Sequence, residues 1–315
     1  MSAATIEGLT GRLAPSPTGV LHLGNARSFL LAWLSIRSRG GRLLMRIEDI
    51  DGPRLKAGAT ESALEDLAWL GLDHDGEVML QSGRLEQYDT AVDRLLAAGL
   101  AYPCVCSRKE VEEAASAPHE TWQDAVPYPG TCRGRYADCA EAEAESGRVP
   151  AVRLRVDVAS LPFIDGFRGP EDGLIRGDFV IRKRDGGPAY QLAVVVDDAA
   201  TGVTEVLRGD DLLVSTPRQL LLYQLLDLPA PDFVHVPLVV GEDGLRLAKR
   251  HGDTSLAHFR SAGVEAEQVL GYLGWSCGLR QDCEPCGAAD LLEGFELASL
   301  PRDPAVAGPP WFEPR

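Results

Sequence analysis

Residues 12–25 read RLAPSPTGVLHLGN. A short apolar strand, Thr10 to Ala14, runs into Pro15 and Pro17, and Gly19 and Gly24 then frame His22. Behind the histidine the pattern turns helical to about Arg39, with Ala26, Phe29, Leu30, Trp33, Leu34 and Arg37 at spacings of three and four. Gly40-Gly41 stops it. A stiff turn of this kind presents backbone N–H groups and a helix N-terminus, an anion site suited to a nucleotide phosphate. A generic glycine-rich turn is the plain alternative, so the rest of the chain has to decide.

Outward from this turn, Arg42 to Ile47 is predicted as a second strand ending in Glu48-Asp49-Ile50-Asp51. That makes a βαβ start with charged residues at the carboxyl end of a strand, where open α/β sheets place their ligands. Helices are predicted over 57–70 and 83–98. Tyr190 to Asp197, YQLAVVVD, is predicted as a buried strand returning to the parallel sheet. Ser215 to Leu226 is an amphipathic helix, and Phe233 to Val240 a further strand leading into a loop around Arg246–His251. Between these parts the composition changes near Pro103. Cys, Pro, Gly and acidic residues crowd 104–147, and strands resume at Ala151–Val156 and Asp178–Arg182. The expected division is 1–100 and 189–253 as two halves of a parallel α/β domain, 101–188 as an insertion with its own small α+β fold, and 254–315 as a helical C-terminal region.

The 315 residues are 45% hydrophobic and 25% charged, ordinary values for a globular chain. A net charge of −16 argues against nucleic acid as a general partner, because phosphate contacts need Lys and Arg. A local basic surface still works inside an acidic whole. Arg182-Lys183-Arg184 and Arg133-Gly134-Arg135 are candidates for one, with a solvated charged face as their ordinary meaning. No apolar run approaches the ~20 residues of a membrane span, and MSAATIEGLTGR lacks the basic region and apolar core of an export signal. A soluble, cytoplasmic, monomeric protein is expected. Seven cysteines without an export signal point to metal binding or inert burial rather than disulfides.

Two sets of residues carry chemistry, and a third group of cysteines does not. Arg12, Glu48, Tyr190 and Arg208 combine two guanidinium forks, which suit carboxylates, with a carboxylate and a phenol, which suit an ammonium. The set fits an acidic amino acid, although each member alone is ordinarily a structural ion pair or a strand-end polar residue. Cys104-Val105-Cys106 and Cys132 offer thiolates at a spacing that suits tetrahedral Zn²⁺. Tyr128, His119 and Cys139 stand open as the fourth ligand. Cys277, Cys283 and Cys286 lack an evident fourth ligand and are read as structural or incidental.

RLAPSPTGVLHLGN resembles the "HIGH" signature of class I aminoacyl-tRNA synthetases in its glutamyl and glutaminyl version. Leu245 to Arg250, LRLAKR, resembles the "KMSKS" loop with Lys249 at its second lysine, while Arg246 and Ala248 depart from that pattern. Lysine is otherwise confined to Lys56, Lys109 and Lys183, so a compact ammonium kept at this position is informative. RIEDID, AYQLAVVVDD and VLRGDD follow in family order. The resemblance implies glutamate contacts from Arg12, Leu13, Ala14, Pro15, Ser16, Glu48, Tyr190 and Arg208. It implies ATP contacts from His22, Gly24, Asn25 and Lys249, with His22 and Lys249 catalytic. They would stabilise charge on phosphate oxygens as pyrophosphate leaves. The pattern CxC…YxxxC, carried by small members of the family, implies one Zn²⁺ on Cys104, Cys106, Tyr128 and Cys132.

Only 65 residues follow Arg250, too few for the large helical anticodon-binding region of a complete glutamyl-tRNA synthetase. The chain is therefore similar to the glutamyl-Q tRNA(Asp) synthetases, a truncated family of glutamyl-type enzymes. That similarity implies activation of L-glutamate with ATP and Mg²⁺ to glutamyl-adenylate, without tRNA. Transfer to the queuosine base at the wobble position of tRNA(Asp) would follow, with the splayed base entering a pocket. The alternatives are a short glutamyl-tRNA synthetase that charges a 3′ end and a catalytically retired paralogue with a binding or regulatory role.

Overall fold

The computed structural model describes residues 8–50, 52, 55–114, 127–245, 247 and 254–306. The chain starts with β1 (Thr10–Leu13), α1 (Leu23–Arg37), β2 (Arg42–Ile47), α2 (Ala59–Trp69), β3 (Met79–Leu80) and α3 (Leu85–Ala97). Then come β4 (Ala101–Cys104), α4 (Arg108–Ala114), α5 (Cys139–Ser146), β5 (Ala151–Leu154), β6 (Phe163–Asp165), β7 (Gly169–Glu171) and β8 (Phe179–Arg182). The remaining elements are α6 (Tyr190–Thr201), β9 (Glu205–Gly209), α7 (Thr216–Leu225), β10 (Asp232–Val236), β11 (Val239–Val240), α8 (Leu256–Ser261), α9 (Ala266–Ser276) and β12 (Ala305–Val306).

The parallel sheet expected from the sequence is present. β2 pairs in parallel with β1 and with β3, and β9 pairs in parallel with β10. The two groups meet where the Thr204 N–H donates to the Thr10 carbonyl at 2.8 Å, so β9 enters the layer beside β1. The spatial order β3-β2-β1-β9-β10 reverses between β1 and β9, the switch point at which such sheets open a crevice. One face of the layer carries α1, α2, α8 and α9 over a core of Leu30, Leu34, Leu43, Met45 and Leu273. The other carries α3, α6 and α7, with Tyr88, Leu192, Val195, Val206 and Leu222 buried between. α1 lies so close on β1 that a Cβ at Gly11 would meet Ile36 Cγ1 at 2.5 Å, so any larger residue there would displace the Ile36 side chain. No helix among the described residues is long and apolar enough to cross a membrane.

The strand expected over 190–197 is a helix, α6. Its Val194-Val195-Val196 run has strand propensity, but Gly202 ends the segment in the left-handed region at φ 70°, a helix stop. α6 packs against α3, α7 and β8 and buries Leu192, Ala193, Val194, Val195, Asp197 and Asp198. A helix covered on nearly every side loses the polar stripe that reveals the 3.6-residue period, and its sequence imitates a buried strand. The strand that joins β1 is β9 instead. The single strand expected over 233–240 is two, β10 and β11, separated by Pro237, which has no N–H to give a ladder. The tail is helical as far as Ser276; beyond it lie short 3-10 turns at Ala289–Leu291 and Leu297–Ser299, and β12 pairs with β11.

Between β4 and β8 the chain forms an antiparallel sheet β4-β5-β8 and a hairpin β6-β7. The hairpin is tied back to the parallel layer, since the Gly166 N–H donates to the Phe233 carbonyl of β10 at 2.8 Å.

Candidate active site

A cleft of about 640 Å³ opens at the carboxyl ends of β1, β2 and β9, beside the switch point. Arg12, Ala14, Pro15, Ser16, His22, Gly24, Asn25, Glu48, Tyr190 and Arg208 all line it. Leu13 does not. Its side chain is fully buried in the core below α1, because alternate residues of a strand face opposite ways and Arg12 takes the cleft side.

One end of the cleft is a buried charge lattice. Arg46 donates through Nη2 to Glu48 Oε1 at 3.0 Å and through Nη1 to Asp198. Arg12 donates through Nη1 to the Leu207 carbonyl at 3.2 Å, and its Nε lies 3.8 Å from the Asp198 carboxylate. Asp198 stands two helical turns after Tyr190, so α6 brings both to one side. Had the segment been a strand, this pairing would not arise. Neighbouring Asp197 points elsewhere, to Gln81, Arg84 and Tyr88.

Burial raises the pKa of the Glu48 carboxyl, with Arg46 and Arg12 offsetting part of the rise. For Arg46 burial works against the charge, but Asp198 and Glu48 outweigh it and its pKa rises. Burial raises the Tyr190 phenol and lowers the Arg208 guanidinium, which Tyr190 and Asp198 partly sustain. Buried charges persist only when paired, so the lattice is a preformed receptor for groups of defined sign. Arg46, Asp198 and His235 were missed in the sequence. The first two lay inside RIEDID and VVVDD as charges next to apolar runs; the third is a polar residue between buried valines in β10.

The other end is the turn before α1. His22 caps the helix in extended conformation, and its N–H donates to Asn25 Oδ1 at 3.2 Å. A Cβ at Gly24 would stand 3.2 Å from the His22 ring, so glycine lets the imidazole lie against the first helical turn. The turn is fixed from behind. The Leu23 N–H donates to the Thr254 carbonyl at 3.0 Å, and the Leu256 N–H to the Leu21 carbonyl at 2.9 Å. Leu247 is buried in the same core as Leu21 and Leu23, and its N–H reaches the carbonyl of cleft-lining Val239 at 3.4 Å. Arg246, Ala248, Lys249 and Arg250 lie outside the described residues. Of their flanks, Thr254 is bonded to the histidine turn and Leu247 to the cleft-lining Val239.

Away from the cleft, the sulfurs of Cys104, Cys106 and Cys132 lie within 4.8 Å of one another. The Tyr128 hydroxyl is 3.4 Å from Cys104 Sγ and 3.5 Å from Cys106 Sγ, and it accepts the Cys132 N–H at 2.8 Å. Three soft thiols and a phenol oxygen converging on one point fit the donor set of a tetrahedral Zn²⁺ site. Burial raises the Cys106 thiol to about 11. Burial also opposes the Cys132 thiolate, but bonds from Tyr128 and the Val105 backbone carry its pKa below the usual thiol range. Cys139 stands apart beside Arg182, 3.6 Å from Nη2. His119 lies outside the described residues. Cys277 and Cys286 are buried in the core under α9 and Cys283 is exposed.

The two basic runs are largely committed to structure. Arg133 pairs with Asp178 and Asp157, Lys183 donates to the Ile50 carbonyl at 2.9 Å, and Arg184 donates to the Val105 carbonyl.

The family described as tRNA synthetases class I (E and Q), catalytic domain, matches residues 9–296. The chain is 48% identical to the glutamyl-Q tRNA(Asp) synthetase of Symbiobacterium thermophilum, over 94% of this chain and 95% of the relative. It is 50% identical to that of Nocardia farcinica, over 97% and 95%. The glutamate–tRNA ligase of Oleidesulfovibrio alaskensis is 43% identical over 95% of this chain but only 63% of its own length. Among solved structures, a glutamate tRNA ligase from Elizabethkingia meningosepticum in complex with its amino acid superposes with a TM-score of 0.80. It is 26% identical, over 95% of this chain and 67% of that one.

Proposed function

The chain belongs to the class I tRNA synthetases of the glutamyl and glutaminyl type and is a ligase, and from that premise we propose that it activates L-glutamate with ATP and transfers it to the queuosine base of tRNA(Asp). Glutamate activation and transfer to tRNA follow from the family. The choice of queuosine over a 3′ end is supported by the names of relatives matched over nearly their whole length.

In this reading the α-carboxylate of glutamate attacks the α-phosphate of ATP, forming the acyl–phosphate bond as the bond to pyrophosphate breaks. Arg208 and Arg12 hold carboxylate through the guanidinium N–H donors they turn to the cleft. Glu48 and Tyr190 face the ammonium. His22, the N–H groups at the start of α1 and Lys249 take up charge developing on the phosphates, where fixed donors stabilise the transition state more than the ground state. Gly24 and Asn25 complete the ATP end. Mg²⁺ accompanies ATP. Cys104, Cys106, Cys132 and Tyr128 would hold Zn²⁺, which would tie the chain around 104–106 to the segment around 128–132. The same reading takes 1–100 and 189–253 as the catalytic halves, 101–188 as the insertion and 254–315 as the tail.

The observation that carries the proposal is the convergence of Arg12, Glu48, Tyr190, Arg208 and the His22 turn on one cleft. The test has two steps. Glutamate-dependent exchange of pyrophosphate into ATP without tRNA is expected, and its absence under all conditions favours a retired paralogue. Labelled glutamate should then appear on tRNA(Asp) only when queuosine is present. Label on the 3′ end of unmodified tRNA overturns the queuosine assignment in favour of a short glutamyl-tRNA synthetase.

A further inference from the structure

Arg208 is gripped by the protein on all but one of its nitrogens. Nε donates to His235 Nε2 at 2.9 Å, and Nη2 donates to Thr216 Oγ1 at 2.8 Å and to the Leu212 carbonyl at 3.4 Å. Nη1 is left for the cleft that Arg208 lines. His235 is 0% exposed, and its ring stacks on Phe233 with centroids 6.3 Å apart. On its far side, Nδ1 lies 2.6 Å from Asp165 Oδ2.

A guanidinium has donors and no acceptor, and a neutral imidazole has one nitrogen of each kind. Nε2 facing Arg208 is therefore the acceptor, and Nδ1 carries the proton and donates it to Asp165. The other carboxylate oxygen, Oδ1, accepts three backbone N–H groups, from Phe167 at 3.0 Å, Arg168 at 2.9 Å and His235 itself at 3.2 Å. Asp165 is thus locked in orientation as well as charge. It ends β6, far in sequence from the strands of the cleft, and the β6-β7 hairpin reaches β10 to deliver it.

We propose that Asp165 and His235 are positioning residues for amino-acid selection: Asp165 fixes the imidazole tautomer, and Nε2 then sets the plane of the Arg208 guanidinium against the side-chain carboxylate of the substrate. The proposal rests on Arg208 binding that carboxylate, as in the function proposed above. With Nε and Nη2 committed, the fixed plane aims the Nη1–H donors alone at the substrate, where they meet a carboxylate oxygen but mismatch the NH₂ of glutamine, itself a donor. The hairpin 163–171 then contributes to selectivity without touching the substrate.

The decisive variant is Asp165→Asn. Its Oδ1 keeps the three backbone N–H groups, so its NH₂ faces Nδ1. The ring proton moves to Nε2 and confronts the Nε–H of Arg208, donor against donor. In pyrophosphate exchange the KM for glutamate is expected to rise about tenfold or more. The KM for ATP should stay within about twofold, and the preference for glutamate over glutamine should shrink. His235→Gln supplies an amide oxygen near the Nε2 position and has no tautomer to lose. Adding Asp165→Asn to His235→Gln is therefore expected to change the glutamate KM no further. A glutamate KM unmoved by Asp165→Asn overturns the proposal, as does a double variant as impaired as Asp165→Asn alone.

Arg208→Ala is measured in parallel. If it leaves the glutamate KM unchanged, the assignment of the carboxylate site falls and takes this inference with it. If it raises the KM while Asp165→Asn does not, only the positioning role falls. Should Asp165→Asn not fold, ¹⁵N spectra of histidine-labelled parent protein decide, with the His235 signals assigned by their loss in His235→Gln. The Nδ1–H tautomer is expected; an Nε2–H tautomer or an imidazolium overturns the proposal.

Discussion

The two ends of the cleft are made of different material. The end proposed for the amino acid is built from side chains of opposite charge, Arg12, Arg46, Glu48 and Asp198, largely removed from water and braced against one another. The end proposed for the phosphates is built from backbone, the Pro15–Val20 turn and the first N–H groups of α1, and it opens to solvent at Val20, 55% exposed. A ligand that must be told from its amide needs donors in fixed planes, and a buried lattice supplies them. A triphosphate needs positive potential more than shape, and a helix start supplies that. The contrast separates selection from rate, and substitutions at the two ends should separate them too.

The largest effect is expected at the phosphate end. His22→Ala should slow glutamate activation by about 10²–10³-fold, the scale of losing one preorganised donor, while the glutamate KM holds. Pre-steady-state measurement of adenylate formation reads this, and Lys249→Ala should behave alike. A variant that binds glutamate poorly but reacts at the parent rate would erase the contrast. At the amino-acid end, Arg208→Lys should raise the glutamate KM by about thirtyfold with little change in turnover, because an ammonium cannot hold His235 and Thr216 and still reach the cleft as a planar guanidinium does. Equal losses in KM and turnover would show that the two ends act as one.

A smaller effect concerns acidity. Burial holds the Glu48 pKa above the ordinary carboxylate value, so Glu48 loses its charge at a higher pH than an exposed glutamate does. As pH falls, the glutamate KM should therefore climb by a few-fold while the ATP KM stays flat, and the slope should vanish in Glu48→Gln. The smallest catalytic effect is expected at the cysteine cluster, which touches neither end. Cys132→Ser, or removal of bound metal by a chelator, should lower the melting temperature by about 5 °C. Glutamate-dependent exchange at 25 °C should stay within about twofold, and a collapse of exchange would tie the cluster to the cleft.

Much of the site was legible because local chemistry announces itself. Pro and Gly around His22 mark a turn, and the cysteine spacing marks a knuckle; ten of the cleft residues named from the sequence line one cavity. Burial obscures the rest. Strand alternation turns the Leu13 side chain into the core, and the strand expected over Tyr190–Asp197 is a helix because a helix covered on nearly every side imitates a buried strand. Cys139 lies as near to the cluster in sequence as a ligand needs to be, yet its backbone carries it to Arg182 instead.

The sequence by itself determined the order of strand, turn and helix at the start, the residue types that suit an acidic amino acid and a phosphate, and the set of thiols. Those follow from short-range sterics and side-chain chemistry, which act within a few residues. Only the tertiary structure decided that Asp198 rather than a solvent counter-ion would neutralise Arg46. It alone decided that β9 would lie beside β1, and that Asp165, 70 positions from His235, would fix the imidazole behind Arg208. Such partnerships depend on which buried polar groups meet once water is excluded, and no local pattern in the chain encodes the distance between them.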